Sequence, residues 1–324
     1  MLPIVQATLQ IPAVCLRFEY RAPRNSCLSP VVLPRVRGAL KKNLVDLARR
    51  ATSPAARDLY HRADDALASI SRPGLGRRGL KFTPMILRAP WTNAFLGPEL
   101  TWGYELILLE RAAELWPAFW EAAQSPFVEG LRLEATASRL VAHEEEIAAE
   151  ALLSQPELGI VTVGQLLPAP PTQVPAVRLH LLSPTRWEEV NFADPAAFFP
   201  PGYEETRDGY PKAVRTFVRS TFLRMVAVCG QGLTPEEREL EEQLPLLLRA
   251  GYPSLAGILA RRTSDSRGGQ DMSWGGLLGN FALESREEEP IAQEFLEALW
   301  VLQAVHLGRS CAFGCGRILV EPLE

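Results

Sequence analysis

Apolar residues recur at helical spacing at Val36, Leu40, Leu44 and Leu47, after an early proline at Pro34. This predicts a helix over Leu33 to Arg50 whose opposite face is basic. A second helical pattern runs from Ala55 to Ile70 and stops at Ser71-Arg72-Pro73-Gly74. Before these helices, Ile4 to Phe18 alternates weakly in the manner of a strand. After them, Phe82 to Leu87, Leu100 to Leu109 and Leu131 to Ala137 read as strands, with a Trp- and Phe-rich helix at Arg111 to Ala123. The order is strand, helix, strand, strand, helix, strand, which is the ferredoxin-like plan.

An acidic helix is expected over Ser138 to Leu153, then a short apolar piece at Ile160 to Val163, then a proline cluster at Leu167 to Thr172 that reads as a linker. The same plan then starts again. Val177 to Leu182 is a strand and Ala213 to Val228 a helix, and Thr234-Pro235-Glu236-Glu237 is a capped start for the acidic helix that ends near Leu248. Ser254 to Arg261 and Ser273 to Leu283 are the middle strands, Pro290 to Val305 the second helix and Arg317 to Val320 the last strand. The expected architecture is α+β, with two tandem ferredoxin-like domains at 1–140 and 176–324 and an insertion and linker at 141–175.

Composition adds a compartment and a polarity. Thirty-four basic residues face 38 acidic ones, a net charge of -4, which taken alone argues against a nucleic-acid protein. Their distribution argues otherwise. Nine basic residues and two acids lie between Arg17 and Arg50, and five basic residues and no acid between Arg72 and Arg88. The acids gather at Glu144 to Glu150, Glu236 to Glu242 and Glu284 to Glu289. One face can thus take a polyanion and another a protein partner, although solvated charge runs are the plain alternative. The five cysteines include no Cys-x-x-Cys pair, which points to a reducing cytosol and no metal site. No apolar run approaches the ~20 residues that span a bilayer.

The C-terminal stretch carries the most distinctive chemistry. Trp274-Gly275-Gly276-Leu277-Leu278-Gly279 is followed by His306-Leu307-Gly308-Arg309-Ser310-Cys311-Ala312-Phe313-Gly314-Cys315-Gly316-Arg317. The glycines follow a helix and precede a strand, the reverse of a phosphate-binding P-loop or dinucleotide fingerprint. What remains is a backbone with few side chains in the way, flanked by His306, Arg309 and Arg317, suited to close approach of a sugar-phosphate chain.

Four segments together resemble the CRISPR-associated endoribonucleases that process precursor crRNA, within the repeat-associated mysterious protein superfamily. Leu33 to Leu40 (LPRVRGAL) resembles the family's Pro-x-x-Arg-Gly-Ala helix start, and Leu100 to Arg111 (LTWGYELILLER) its strand running into a helix. Ser266 to Met272 with the Trp274 to Gly279 loop is similar to the C-terminal domain pattern, and His306 to Arg317 to the terminal glycine-rich loop. The resemblance implies two ferredoxin-like domains and cleavage without metal or cofactor. A ribose 2′-hydroxyl attacks the adjacent phosphate, which needs a base, an acid and cations. Relatives place a histidine in the first helix, where Val36 to Arg50 has none and Lys42 stands close by.

The expected catalytic residues are His306, Lys42 and His61. Those expected to bind RNA are Arg35, Arg37, Lys41, Arg267, Gly308, Arg309, Gly314, Gly316 and Arg317. His180, inside a strand, and His143, beside three glutamates, read as structural and solvated respectively. Expected partners are CRISPR repeat RNA or crRNA and other effector-complex subunits. A non-catalytic crRNA-binding subunit and a metabolic enzyme on the same fold are the alternatives.

Overall fold

The computed structural model describes all residues except 30–31, 73–79, 90–93, 129–130, 143–144, 187–210, 265–269, 288, 309–310 and 324. The chain opens with helix α1 (Pro3–Leu9), followed by strand β1 (Pro12–Arg21), α2 (Val32–Arg50) and α3 (Pro54–Ala66). Strands β2 (Met85–Arg88) and β3 (Trp102–Leu109) follow, then a 3-10 turn over Glu110–Leu115 leading into α4 (Trp116–Ala123), and β4 (Glu134–Ala142). They form one antiparallel sheet in the order β4-β1-β3-β2, with the edge strand β5 (Glu145–Ala148) added beside β4. Counting its four principal strands in chain order gives 4-1-3-2, the ferredoxin-like arrangement.

The second half repeats it. Strand β6 (Ala176–Thr185), α5 (Pro211–Cys229), α6 (Pro235–Leu247), β7 (Leu248–Ser264), β8 (Gln270–Ser285), α7 (Gln293–Val305) and β9 (Ile318–Leu323) build an antiparallel sheet ordered β7-β8-β6-β9, again 4-1-3-2. The protein is two tandem ferredoxin-like units, as the pattern of the sequence implies.

Alternation along the strands divides the core in two. Val14, Leu16, Phe18 and Tyr20 of β1 point to one face of the first sheet and pack with Val36, Leu40 and Leu44 of α2 and Phe119 of α4. Ala13 and Cys15 point to the other, where they join Ile86, Ile107, α1, α5, α7 and the inner residues Val177, Leu179 and Phe281 of the second sheet. Helix α7 is therefore clasped between the two sheets. This accounts for its burial all round, from Phe295 and Leu296 through Leu299 and Val301 to Val305.

Two sequence expectations are corrected. Residues 4–18 are not one strand. Pro3 opens a helix that buries Ile4, Val5, Thr8 and Leu9 on one side against α5 and α7, and β1 starts only at Pro12. Its first turn is tied to the second unit by the buried Glu237, whose Oε1 accepts from Ile4 N at 2.6 Å while Oε2 accepts from Thr234 N at 2.8 Å. Thr234 Oγ1 accepts from Glu237 N, completing the capping box of α6. Nor is Ser138 to Leu153 a helix. Glu134–Ala142 is the fourth principal strand, Glu145–Ala148 an edge strand, and only Ala149–Leu152 turns as 3-10. The acidic residues there suit an exposed sheet edge as well as a helix face.

Candidate functional site

The terminal loop begins where α7 ends, at His306, which takes φ +62°. Leu307 N donates to Gly316 O at 2.7 Å, Gly316 N to Pro184 O at 3.1 Å, and Arg317 N to Ser183 Oγ at 2.8 Å, so the loop closes on itself and then joins β6. Gly308, Gly314 and Gly316 have φ of +76°, +83° and +79°. These are left-handed values that glycine adopts without strain. A Cβ on Gly314 would overlap Leu33 of α2, and one on Gly316 the Leu307 carbonyl. Gly314 and Gly316 are buried, so their glycine character serves the packing of the loop against the first unit. Only Gly308 is partly open.

His306 is wholly buried. Its Nδ1 donates to Cys315 O at 3.0 Å, which makes Nε2 the unprotonated nitrogen, and Nε2 has no hydrogen-bond partner. Burial, reinforced by the Arg88 charge, holds its pKa well below the ordinary histidine value. The imidazole is neutral and sealed from any solvent-borne substrate. The expected place for it at the mouth of an open loop is thus corrected: in this fold it pins the loop.

Three arginines surround that histidine. Arg224, buried on α5, donates from Nε to Val305 O at 2.9 Å and His306 O at 3.2 Å, and from Nη2 to Val305 O at 2.6 Å. Arg88, from β2 of the other unit, donates to Gln303 O at 2.8 Å. The carbonyl end of α7 is thus capped by guanidinium groups from both units. Arg317 is half-buried, and burial followed by the Arg88 charge lowers its pKa. Arg88 is also one end of a charged row across the first sheet, in register from Arg139 to Arg17, Glu105 and Arg88. Burial would raise the Glu105 carboxyl, but Arg88 at 3.0 Å and Arg17 at 2.6 Å outweigh it and hold it below the usual range. Glu146 of β5 bridges Arg17 and Arg139. Sequence reasoning missed Arg88 and Arg224. Their signal, an arginine inside an apolar strand or helix, is weak until the partner carbonyls are known.

The basic helix α2 and its neighbour α3 make the open part of the site. Arg37 is half-buried, donates to Leu67 O at 3.2 Å, and has its pKa lowered by burial, so it ties α2 to the end of α3. Lys41 Nζ lies 3.6 Å from Asp64 Oδ1. His61, exposed, is one turn before Asp64 on the same side of α3. Lys42 is exposed and has no ion-pair partner among the described residues, and Arg35 is half-buried in the first turns of α2. Leu33 joins this helix to the loop, since it is the residue that fills the space beside Gly314. Arg35, Lys41, Lys42 and His61 thus lie on the adjoining helices α2 and α3, of which the start of α2 meets the loop through Leu33, while His306 is buried apart from them at the end of α7.

Two further features lie apart. Strands β7 and β8 pair with each other from Leu248/Ser285 to Ser264/Gln270, whereas β6 pairs with β8 only as far as Leu277. The outer part of the hairpin, about eight residues in each strand and roughly 26 Å long, runs past the pairing with β6, and Arg261 and Arg262 lie on it. Arg267 and Arg309, like His143, lie outside the described residues. His180 Nε2 and Glu321 Oε2 are 2.8 Å apart on the outer face of the second sheet. Among the described residues, no group of three or more His, Cys, Asp or Glu is placed to hold a metal ion, and no helix is long and apolar enough to cross a membrane.

Residues 179–318 match the family model described as CRISPR-associated endoribonuclease Cas6. Among solved structures the chain is similar to a product complex of Thermus thermophilus Cas6 (TTHB231), with 18% identity, 97% of this chain and 100% of that chain covered, and a TM-score of 0.52. A second Cas6 product complex (TTHA0078) shows 16% identity over 96% and 99% of the two chains, with a TM-score of 0.50. A partial Cas6-RT-Cas1–Cas2 complex shows 14% identity over 99% of this chain and 47% of that one, at 0.52. At these identities the structural likeness is one of fold. No curated protein matches the chain by sequence. Over residues 179–318 the expected resemblance to CRISPR-associated endoribonucleases is met.

Proposed function

With the Cas6 family pattern running through its C-terminal unit and the Cas6 fold through its whole length, we propose that this protein is an endoribonuclease that binds CRISPR repeat RNA and cuts precursor crRNA. The observation that carries the reading is the cationic α2–α3 surface, joined through Leu33 and Gly314 to the terminal loop. In the proposed reaction a ribose 2′-oxygen forms a bond to the adjacent phosphorus as the bond from phosphorus to the 5′-oxygen breaks. A base removes the 2′-hydroxyl proton and an acid protonates the departing 5′-oxygen, leaving a 2′,3′-cyclic phosphate and a 5′-hydroxyl. No metal ion is needed for this balance.

His61 and Lys42 are the exposed proton-transfer groups of this surface. An imidazole is the natural base near neutral pH and an ammonium group can supply the second proton. Arg35 and Lys41, with Arg317 at the loop, would stabilise the charge that develops on the phosphate. The basic ribbon of β7 and β8 supplies further backbone contacts away from the cut. After cleavage the product stays bound, and the protein remains as a subunit of an effector complex whose other members meet its acidic faces.

One observation favours a second reading, a crRNA-binding subunit that does not cut: α2 has no histidine and His306 is sealed. Incubation with end-labelled CRISPR repeat RNA in EDTA, with analysis of the product ends, separates the two. A single cut ending in a cyclic phosphate supports the nuclease. Tight binding without a cut supports the second reading, and neither binding nor cutting overturns both.

A further inference from the structure

Gly38 is the only glycine within any described α-helix of the protein. It sits two turns into α2, exposed, with no positive φ, and a Cβ built on it would meet nothing within 4 Å. Neither a turn nor a tight contact calls for glycine there. By contrast, Gly314 and Gly316 have both a left-handed backbone and a neighbour in the way. Glycine is among the poorest helix residues and alanine the best, so the fold alone would favour a side chain at this position.

The neighbours of Gly38 suggest what the open space is for. At 100° per residue, Arg35 and Lys42, three positions before and four after, project on the same side of the helix as Gly38. The helix therefore carries a notch with a cation at each end, on the turn that follows the contact between Leu33 and the terminal loop. We propose that Gly38 is a positioning residue. The missing side chain lets a sugar-phosphate strand lie directly against the backbone of α2, with phosphates held by Arg35 and Lys42 on either side. The inference rests on the reading of the protein as one that binds repeat RNA, and it assigns the place where the strand passes over the helix.

The test exploits opposite signs. Gly38→Ala and Gly38→Gln are compared with wild type and with Gly232→Ala, a substitution into equally open space in the loop before α6. Binding is followed by fluorescence anisotropy with labelled CRISPR repeat RNA at fixed ionic strength, and Tm by circular dichroism. Gly38→Ala is expected to raise Tm by about 2 °C while weakening RNA binding. Gly38→Gln is expected to weaken it by about tenfold or more, and Gly232→Ala to leave it unchanged. Wild-type affinity in both Gly38 variants, with wild-type protein binding well, overturns the notch and leaves the functional reading standing. Failure of the wild-type protein to bind overturns that reading and the notch together.

Discussion

Leu33 occupies the space in which Gly314 would carry a side chain: its Cβ and Cγ lie 3.0 and 3.2 Å from where a Gly314 Cβ would stand, and its Cδ1 closer still. Helix α2 of the first unit and the terminal loop of the second are thus fitted to each other at one point. Gly314→Ala should destabilise the protein by about 2–3 kcal/mol, because a left-handed alanine is strained and must also displace Leu33. Leu33→Ala should cost about 2–4 kcal/mol through the cavity it leaves. The double variant should be less destabilised than the sum, since the smaller side chain makes room for the new methyl. Chemical denaturation of the four proteins measures this, and additivity within error would refute the contact.

His306 makes stability depend on pH in a definite direction. Its folded pKa is depressed, so the unfolded chain binds a proton that the native protein refuses. Stability is intact above the unfolded histidine pKa of about 6.5. It falls as the pH drops below that value, by up to about 1.4 kcal/mol per pH unit from this group. His306→Asn keeps an amide donor for the Cys315 carbonyl and removes the titration. Urea unfolding between pH 7.5 and pH 5, taken in steps of about half a unit, should show a flatter profile for the variant. Parallel profiles would mean that the native ring accepts the proton after all.

Arg224 tests the capping of α7. Its three hydrogen bonds to the Val305 and His306 carbonyls are buried, so Arg224→Met leaves acceptors without donors and should cost about 2–3 kcal/mol. Arg224→Lys should recover little, because a single ammonium group cannot reproduce the paired Nε and Nη2 geometry. Full recovery by lysine would show that charge alone matters. The readout is the urea midpoint at constant m.

Much of this architecture can be read from the residues, and the misreadings have physical causes. The apolar spacing of Val36, Leu40 and Leu44 and the Thr234–Glu237 capping box are local signals, and both elements form where they predict. Pro3 to Leu9 looks like part of a strand because Ile4 and Val5 are β-branched, yet packing on α5 and α7, far along the chain, decides for a helix. His306 looks like a reactive group because glycines surround it. It is in fact buried at the end of α7, whose carbonyls are held by Arg88 and Arg224, residues on distant elements that carry no mark in sequence of the carbonyls they bind. The open cations of α2 were legible, since an amphipathic helix assigns its polar face by spacing alone.

That polar face is itself heterogeneous, which gives the last prediction. Lys42 is exposed and without an ion-pair partner among the described residues, so Lys42→Ala should leave stability within about 0.5 kcal/mol. If Lys42 holds a phosphate, the slope of log K against log salt should become shallower by about 0.7–0.9, one counterion's worth. Arg37, only four residues before Lys41, should behave oppositely. Its Nη2 holds the Leu67 carbonyl, so Arg37→Ala should lower stability by about 1–3 kcal/mol and leave the salt slope nearly unchanged. Equal effects of the two substitutions on the salt slope would mean that Arg37 leaves Leu67 to bind RNA. No change with Lys42→Ala would remove that residue from the interface and transfer the phosphate contact to its neighbours Arg35 and Lys41.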